Sequence, residues 1–123
     1  MATGTWKNPG AGQANYLTYS EYFETYSTGN EIYAKKQGSV VFLAGVVKPA
    51  VNIDTTNVVQ IATLPQGFRP AAEVNLPQIG TQNYTWTLRI QANGNVNCYR
   101  YGPSPYTISK GAWTPVSAVF FCV

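Results

Sequence analysis

A chain of 123 residues is long enough for one hydrophobic core and too short for two, and 45% hydrophobic against 11% charged residues excludes a disordered chain. The net charge is only +3 and Lys35-Lys36 is the one adjacent basic pair, so the basic stripe expected of a nucleic-acid binder is missing. The absence of His removes Ser-His-Asp and Cys-His catalysis and the commonest metal ligand.

Residues 1–14 are small, polar or Gly/Pro-rich around Trp6 and read as an irregular leader or a joint to an upstream element. They hold no basic region followed by an apolar run, so no secretory signal is legible. No window approaches the roughly 20 apolar residues of a membrane span. The expectation is synthesis in the cytosol and no membrane insertion. Residues 15–123 are expected to form the domain. Within 15–29, Tyr16, Tyr19, Phe23 and Tyr26 fall near helical spacing and Thr18-x-x-Glu21 fits a capping box. Tyr and Thr favour strands, and the segment is expected to be extended, with room for one helical turn.

Strands are predicted over 31–36 and 39–47, separated by Gln37-Gly38, with Lys48-Pro49 ending the second. A third runs over 58–64, where Pro65-Gln66-Gly67 makes a turn. A short one over 72–76 is closed by Pro77. Residues 84–91 and 95–101 form a hairpin, 106–109 a short strand, and 117–123 the last. This succession predicts an all-β, antiparallel sandwich or barrel. In the hairpin, a three-residue loop with Gly94 in the left-handed conformation places Ile90 opposite Val96 and Leu88 opposite Cys98. That register gathers Trp86, Leu88, Ile90, Val96 and Cys98 on one face, with Thr87, Arg89, Asn97 and Tyr99 on the other. Two strands are apolar on both faces. Val41, Leu43 and Val47 oppose Val40, Phe42 and Val46, and Phe120 and Cys122 oppose Val119, Phe121 and Val123. Both faces then need cover, one of them expected from a neighbouring subunit.

Cys98 and Cys122 are expected as reduced thiols, and two cysteines far apart do not make a zinc site. No G-x-G-x-x-G or P-loop pattern is present, and no cofactor is expected. The carboxylates Glu21, Glu24, Glu31, Asp54 and Glu73 read as solvated surface, not as a glycosidase pair. No catalysis is expected. Residues suited to sugars, aromatic faces with polar readers of hydroxyls, gather in the C-terminal half. Tyr101, Tyr106 and Arg100 are the leading candidates, with Asn83 and Tyr84 as an opposing wall and Lys110 nearby. Two Pro stiffen the loop between Tyr101 and Tyr106. Tyr106 is expected to stack on a sugar, so that Tyr106→Ala would abolish attachment without unfolding. Trp113 is expected in the core or at a corner.

Four motifs recur in a meaningful order: Gly38-Ser39-Val40-Val41-Phe42-Leu43-Ala44-Gly45, then Leu64-Pro65-Gln66-Gly67-Phe68-Arg69-Pro70, then Asn93-Gly94-Asn95-Val96, then Gly111-Ala112-Trp113 before Val119-Phe120-Phe121. The order resembles the C-terminal head domains of bacteriophage tail-fibre and receptor-binding proteins, over roughly residues 32–123. The resemblance implies a jelly-roll-like sandwich, a homotrimer, attachment to an upstream tail or baseplate protein, a place at the tail tip of the virion, and a host cell-surface saccharide as receptor. Alternatives are a structural tip module of the virion without a ligand and a carbohydrate-binding module of a secreted enzyme.

Overall fold

The computed structural model describes residues 15–122; the leader expected over 1–14 lies outside them, as does Val123. Twelve strands and one 3-10 turn, with no α-helix, make up the described residues. One five-stranded sheet contains β1 (Asn15–Tyr16), β3 (Phe23–Thr25), β4 (Tyr33–Gln37), β5 (Val40–Pro49) and β12 (Thr114–Phe121). The order is β1-β4-β5-β12, and β3 continues the β4 edge of β5. The other sheet runs β2 (Thr18–Tyr19), β7 (Val59–Thr63), β10 (Asn95–Tyr99), β9 (Thr85–Ile90) and β8 (Val74–Ile79). Every pairing is antiparallel, and the two sheets stack as a sandwich. A two-stranded ladder of β6 (Ile53–Asp54) and β11 (Thr107–Ile108) lies beside them; β11 is the short strand expected over 106–109, while β6 was not expected from the sequence.

Residues 15–29 form three short strands broken by turns and switch sheets. β1 joins the first sheet and β2 the second, with fully buried Leu17 between them. The 85–99 hairpin has the expected register, with Val96 opposite Ile90 and Cys98 opposite Leu88, and Gly94 at φ 96° in the loop. Leu88, Ile90, Val96 and Cys98 are fully buried and Trp86 nearly so. Each such side chain contributes on the order of 2 kcal/mol through burial.

Two expectations are corrected. Pro77 does not close a strand; it lies inside β8, opposite Thr87, which is tolerated because β8 is the edge of its sheet. The last strand begins at Thr114, not 117, with Pro115 again on an edge. Gln78 closes the sandwich between the two edges. Its side-chain amide donates to the Ser117 carbonyl at 3.0 Å while its carbonyl accepts from the Ser117 N–H at 3.1 Å, standing in for a missing strand.

The two-sided strands place Val41, Leu43, Val47, Val116 and Phe120 in the core. Their other faces leave Phe42, Val119 and Phe121 at 41%, 59% and 72% exposure, beside Tyr33. Leu76, Pro77, Ala44 and Ser117 continue this apolar surface into a depression of about 650 Å³.

Both cysteines are free thiols, Cys98 buried and Cys122 partly so. Burial pushes the Cys98 thiol far above its ordinary value. The folded state therefore holds the proton longer than the unfolded chain, and stability falls as pH rises past about 8.5, where the unfolded thiol ionises. A maleimide is expected to label Cys122 in the native protein and Cys98 only after unfolding. Peptide mass spectrometry showing both labelled at one rate under native conditions would contradict that burial.

Candidate functional site

The hairpin β9–β10 ends in a loop, Arg100 to Tyr106, whose shape is set from a distance by Thr55. Thr55 is fully buried. Its N–H donates to the Tyr106 carbonyl at 2.9 Å and its carbonyl accepts from the Arg100 N–H at 2.8 Å. Its hydroxyl donates to the Tyr106 carbonyl and accepts from the Tyr101 N–H at 2.8 Å. So held, Arg100 and Tyr106 take positive φ values of 51° and 62°, which L-residues adopt at a cost of order 1–3 kcal/mol. The Ser104–Pro105 peptide is cis.

The clamp separates the residues expected to form one site. Tyr101 turns inward. It is 2% exposed, its ring stacks near Trp86 and meets Tyr84 edge-on, both at 6.3 Å, and burial raises its phenol above the ordinary value. Its ring offers little face to a ligand, so of the expected site residues Tyr101 stands at the base of a cleft walled by Tyr84 and Trp113, as a support for those walls. Arg100 and Tyr106 point to a different surface, with the Arg100 guanidinium 5.2 Å from the Tyr106 ring centre and 5.0 Å from that of Tyr99. Asn83 is exposed in the turn Thr81–Asn83, where both Gln82 and Asn83 have positive φ.

Tyr84 remains at a cleft of about 330 Å³, with Trp113 and Tyr26 as further aromatic walls and Gln82, Ser109 and Lys110 as polar ones. The three rings are 37%, 43% and 38% exposed respectively. Of the two places expected for Trp113, core or corner, the structure puts it at the corner before β12, with its side chain exposed. Its backbone is fixed and its ring is presented. The Trp113 N–H donates to Thr81 Oγ1 at 2.7 Å, and the Trp113 carbonyl accepts from the Thr81 N–H at 3.1 Å and the Tyr101 hydroxyl at 3.3 Å. Gly80 makes this junction possible, because a Cβ there would stand 2.1 Å from the Tyr101 hydroxyl oxygen. The rings therefore need little ordering to meet a ligand.

Trp113 carried a legible signal. Thr114, Val116, Ala118 and Phe120 alternate inward along β12, so extending that parity by one residue points Trp113 outward. Among the described residues no three His, Cys, Asp or Glu side chains gather as metal ligands. Of the carboxylates, Asp54 accepts from the Thr56 hydroxyl at 2.6 Å and its N–H at 2.9 Å, which hold it below its ordinary value, and Glu73 pairs with Arg89 at 3.5 Å. No protein-family model and no curated protein matches the chain.

Proposed function

We propose that this domain is the receptor-binding head of a bacteriophage tail fibre, a non-catalytic module that recognises a host cell-surface saccharide. The observation that supports it is the cleft at Trp113, with three half-exposed aromatic rings on a hydrogen-bonded backbone beside amide, hydroxyl and ammonium groups. Aromatic faces cover the apolar C–H surface of a sugar, and the polar groups read its hydroxyls. On this reading the sandwich is jelly-roll-like, works at the virion tail tip and is joined to an upstream tail or baseplate protein. A glycan array and binding to intact candidate host cells test it. Retention of a small set of related saccharides is expected; a folded chain that binds no glycan and no cell would favour a structural tip module instead.

The same reading makes the head a homotrimer. Phe42, Val119 and Phe121 form an exposed apolar face of the kind buried between subunits. Three linked sites, each weak, then multiply avidity. Phe121→Glu is expected to convert trimer to monomer with little change in secondary structure, since Phe121 is 72% exposed in the single chain. Light scattering reads the outcome, and a parent chain that is monomeric at micromolar concentration would remove the trimer.

A further inference from the structure

Arg89, Tyr99, Arg100 and Tyr106 are four consecutive members of one cation–aromatic ladder. The Arg89 guanidinium lies 4.7 Å from the Tyr99 ring centre, Arg100 lies 5.0 Å from the same ring, and Arg100 lies 5.2 Å from Tyr106. Two cations thus share one ring, and two carboxylates belong to the elements around them: Glu73, and Asp54, whose oxygen is taken by Thr56 next to the Thr55 that bonds Arg100 and Tyr106. Glu73 is taken by Arg89 at 3.5 Å, and Arg89 Nε also donates to Asn75 at 2.9 Å. Arg100 makes no ion pair or side-chain hydrogen bond to any described residue, and it is exposed.

A guanidinium stacked on a ring face has its donor edge left over, already oriented for a planar or tetrahedral oxyanion. With no ion pair to any described residue, the Arg100 edge has an unmet electrostatic demand. The backbone adds a second sign. Arg100 and Tyr106 sit at φ 51° and 62° because Thr55 holds them there, so the ladder is imposed by the fold at the expense of local strain.

We propose that Arg89, Tyr99, Arg100 and Tyr106 form a binding site for an oxyanion, separate from the Trp113 cleft. Resting on the receptor reading above, its ligand is a phosphate or carboxylate substituent of the bound glycan. Arg100 donates two parallel N–H bonds to the oxyanion, Tyr99 and Tyr106 hold its plane in place, and Arg89, on the same Tyr99 ring, adds positive charge from further away.

The test has two arms, using the full chain. In the first, sodium phosphate and sodium acetate are titrated against sodium chloride at constant ionic strength, followed by nitrogen–proton NMR of the backbone and arginine side chains. Saturable shifts are expected at Tyr99, Arg100 and Tyr106 and are expected to vanish in Arg100→Gln, whose melting curve confirms folding. In the second, a phosphate-bearing polysaccharide and its enzymatically dephosphorylated form are compared. Arg100→Gln is expected to weaken the first at least tenfold and leave the second unchanged. No saturable shift around Arg100, or equal loss for both polymers, overturns the proposal. The two readings fail separately. Phosphate titrating at Arg100 with no glycan bound anywhere retains the oxyanion site and removes the receptor, whereas neutral glycan bound without a phosphate effect does the reverse.

Discussion

Trp113→Ala is expected to abolish attachment to host cells and retention of the receptor glycan while leaving the folded domain nearly as stable as the parent. The ring is 43% exposed, and the bonds that fix the residue come from its backbone: N–H to Thr81 Oγ1, carbonyl from Thr81 and Tyr101. Removing the side chain leaves all of them. Surface changes of this kind usually shift stability by about 0.5 kcal/mol. Binding is affected very differently, because a Trp anchor in a contact is commonly worth about 2 kcal/mol or more, which is more than tenfold per site. If the proposed trimer links three such sites, the loss compounds with avidity. Trp86→Ala is the contrasting variant: that ring is 2% exposed in the core, and about 3–5 kcal/mol of stability should go with it. Thermal melts and cell-binding assays separate the two. Unchanged attachment by folded Trp113→Ala would move the saccharide site away from the cleft.

The second large effect is expected at Thr55, which touches no solvent. Thr55→Val preserves shape and leaves the backbone bonds to Arg100 and Tyr106 in place, but it deletes the hydroxyl that bonds the Tyr106 carbonyl and receives the Tyr101 N–H. The Tyr101 N–H is then left inside the protein without that acceptor. A lost pair of bonds with one stranded buried donor costs about 2–3 kcal/mol, a fall in melting temperature of about 8 °C for a domain of this size. The loop that carries Arg100 and Tyr106 loosens with it, so the phosphate response at Arg100 should weaken in parallel. Thr55→Ser, which keeps the hydroxyl, should restore most of both. If Thr55→Val melts with the parent, the loop is held by something other than this clamp.

The register of the β9–β10 hairpin was legible, although the strand expected over 95–101 ends at Tyr99. The hairpin's apolar alternation has period two, and Asn93-Gly94 sits where a three-residue loop needs a left-handed residue, so register and face follow from neighbours in the chain. The same local pattern placed Arg89 and Tyr99 on the outer face together, although not the stacking of Arg100 on Tyr99. The two-sided character of β5 and β12 was equally plain. Which of their faces lies inside was not, because the stacking of the second sheet decides it: Phe120 is 6% exposed and its neighbour Phe121 72%.

The site was legible in residue types and misread in arrangement. Arg100 and Tyr101 are adjacent, and alternation alone would send them to opposite sides, yet Tyr106 rejoins Arg100 and leaves Tyr101 alone with Tyr84 and Trp86. That grouping depends on two left-handed backbone positions held by Thr55, 46 residues before Tyr101. Nothing in the sequence near Arg100 or Tyr106 asks for positive φ, since neither is Gly or Asn. Local alternation and turn chemistry act between neighbours and specify strands and their faces. The loop conformation is a minimum only when a buried hydroxyl from another part of the chain satisfies it, so the partition into an aromatic cleft and an arginine ladder came into being with the tertiary fold.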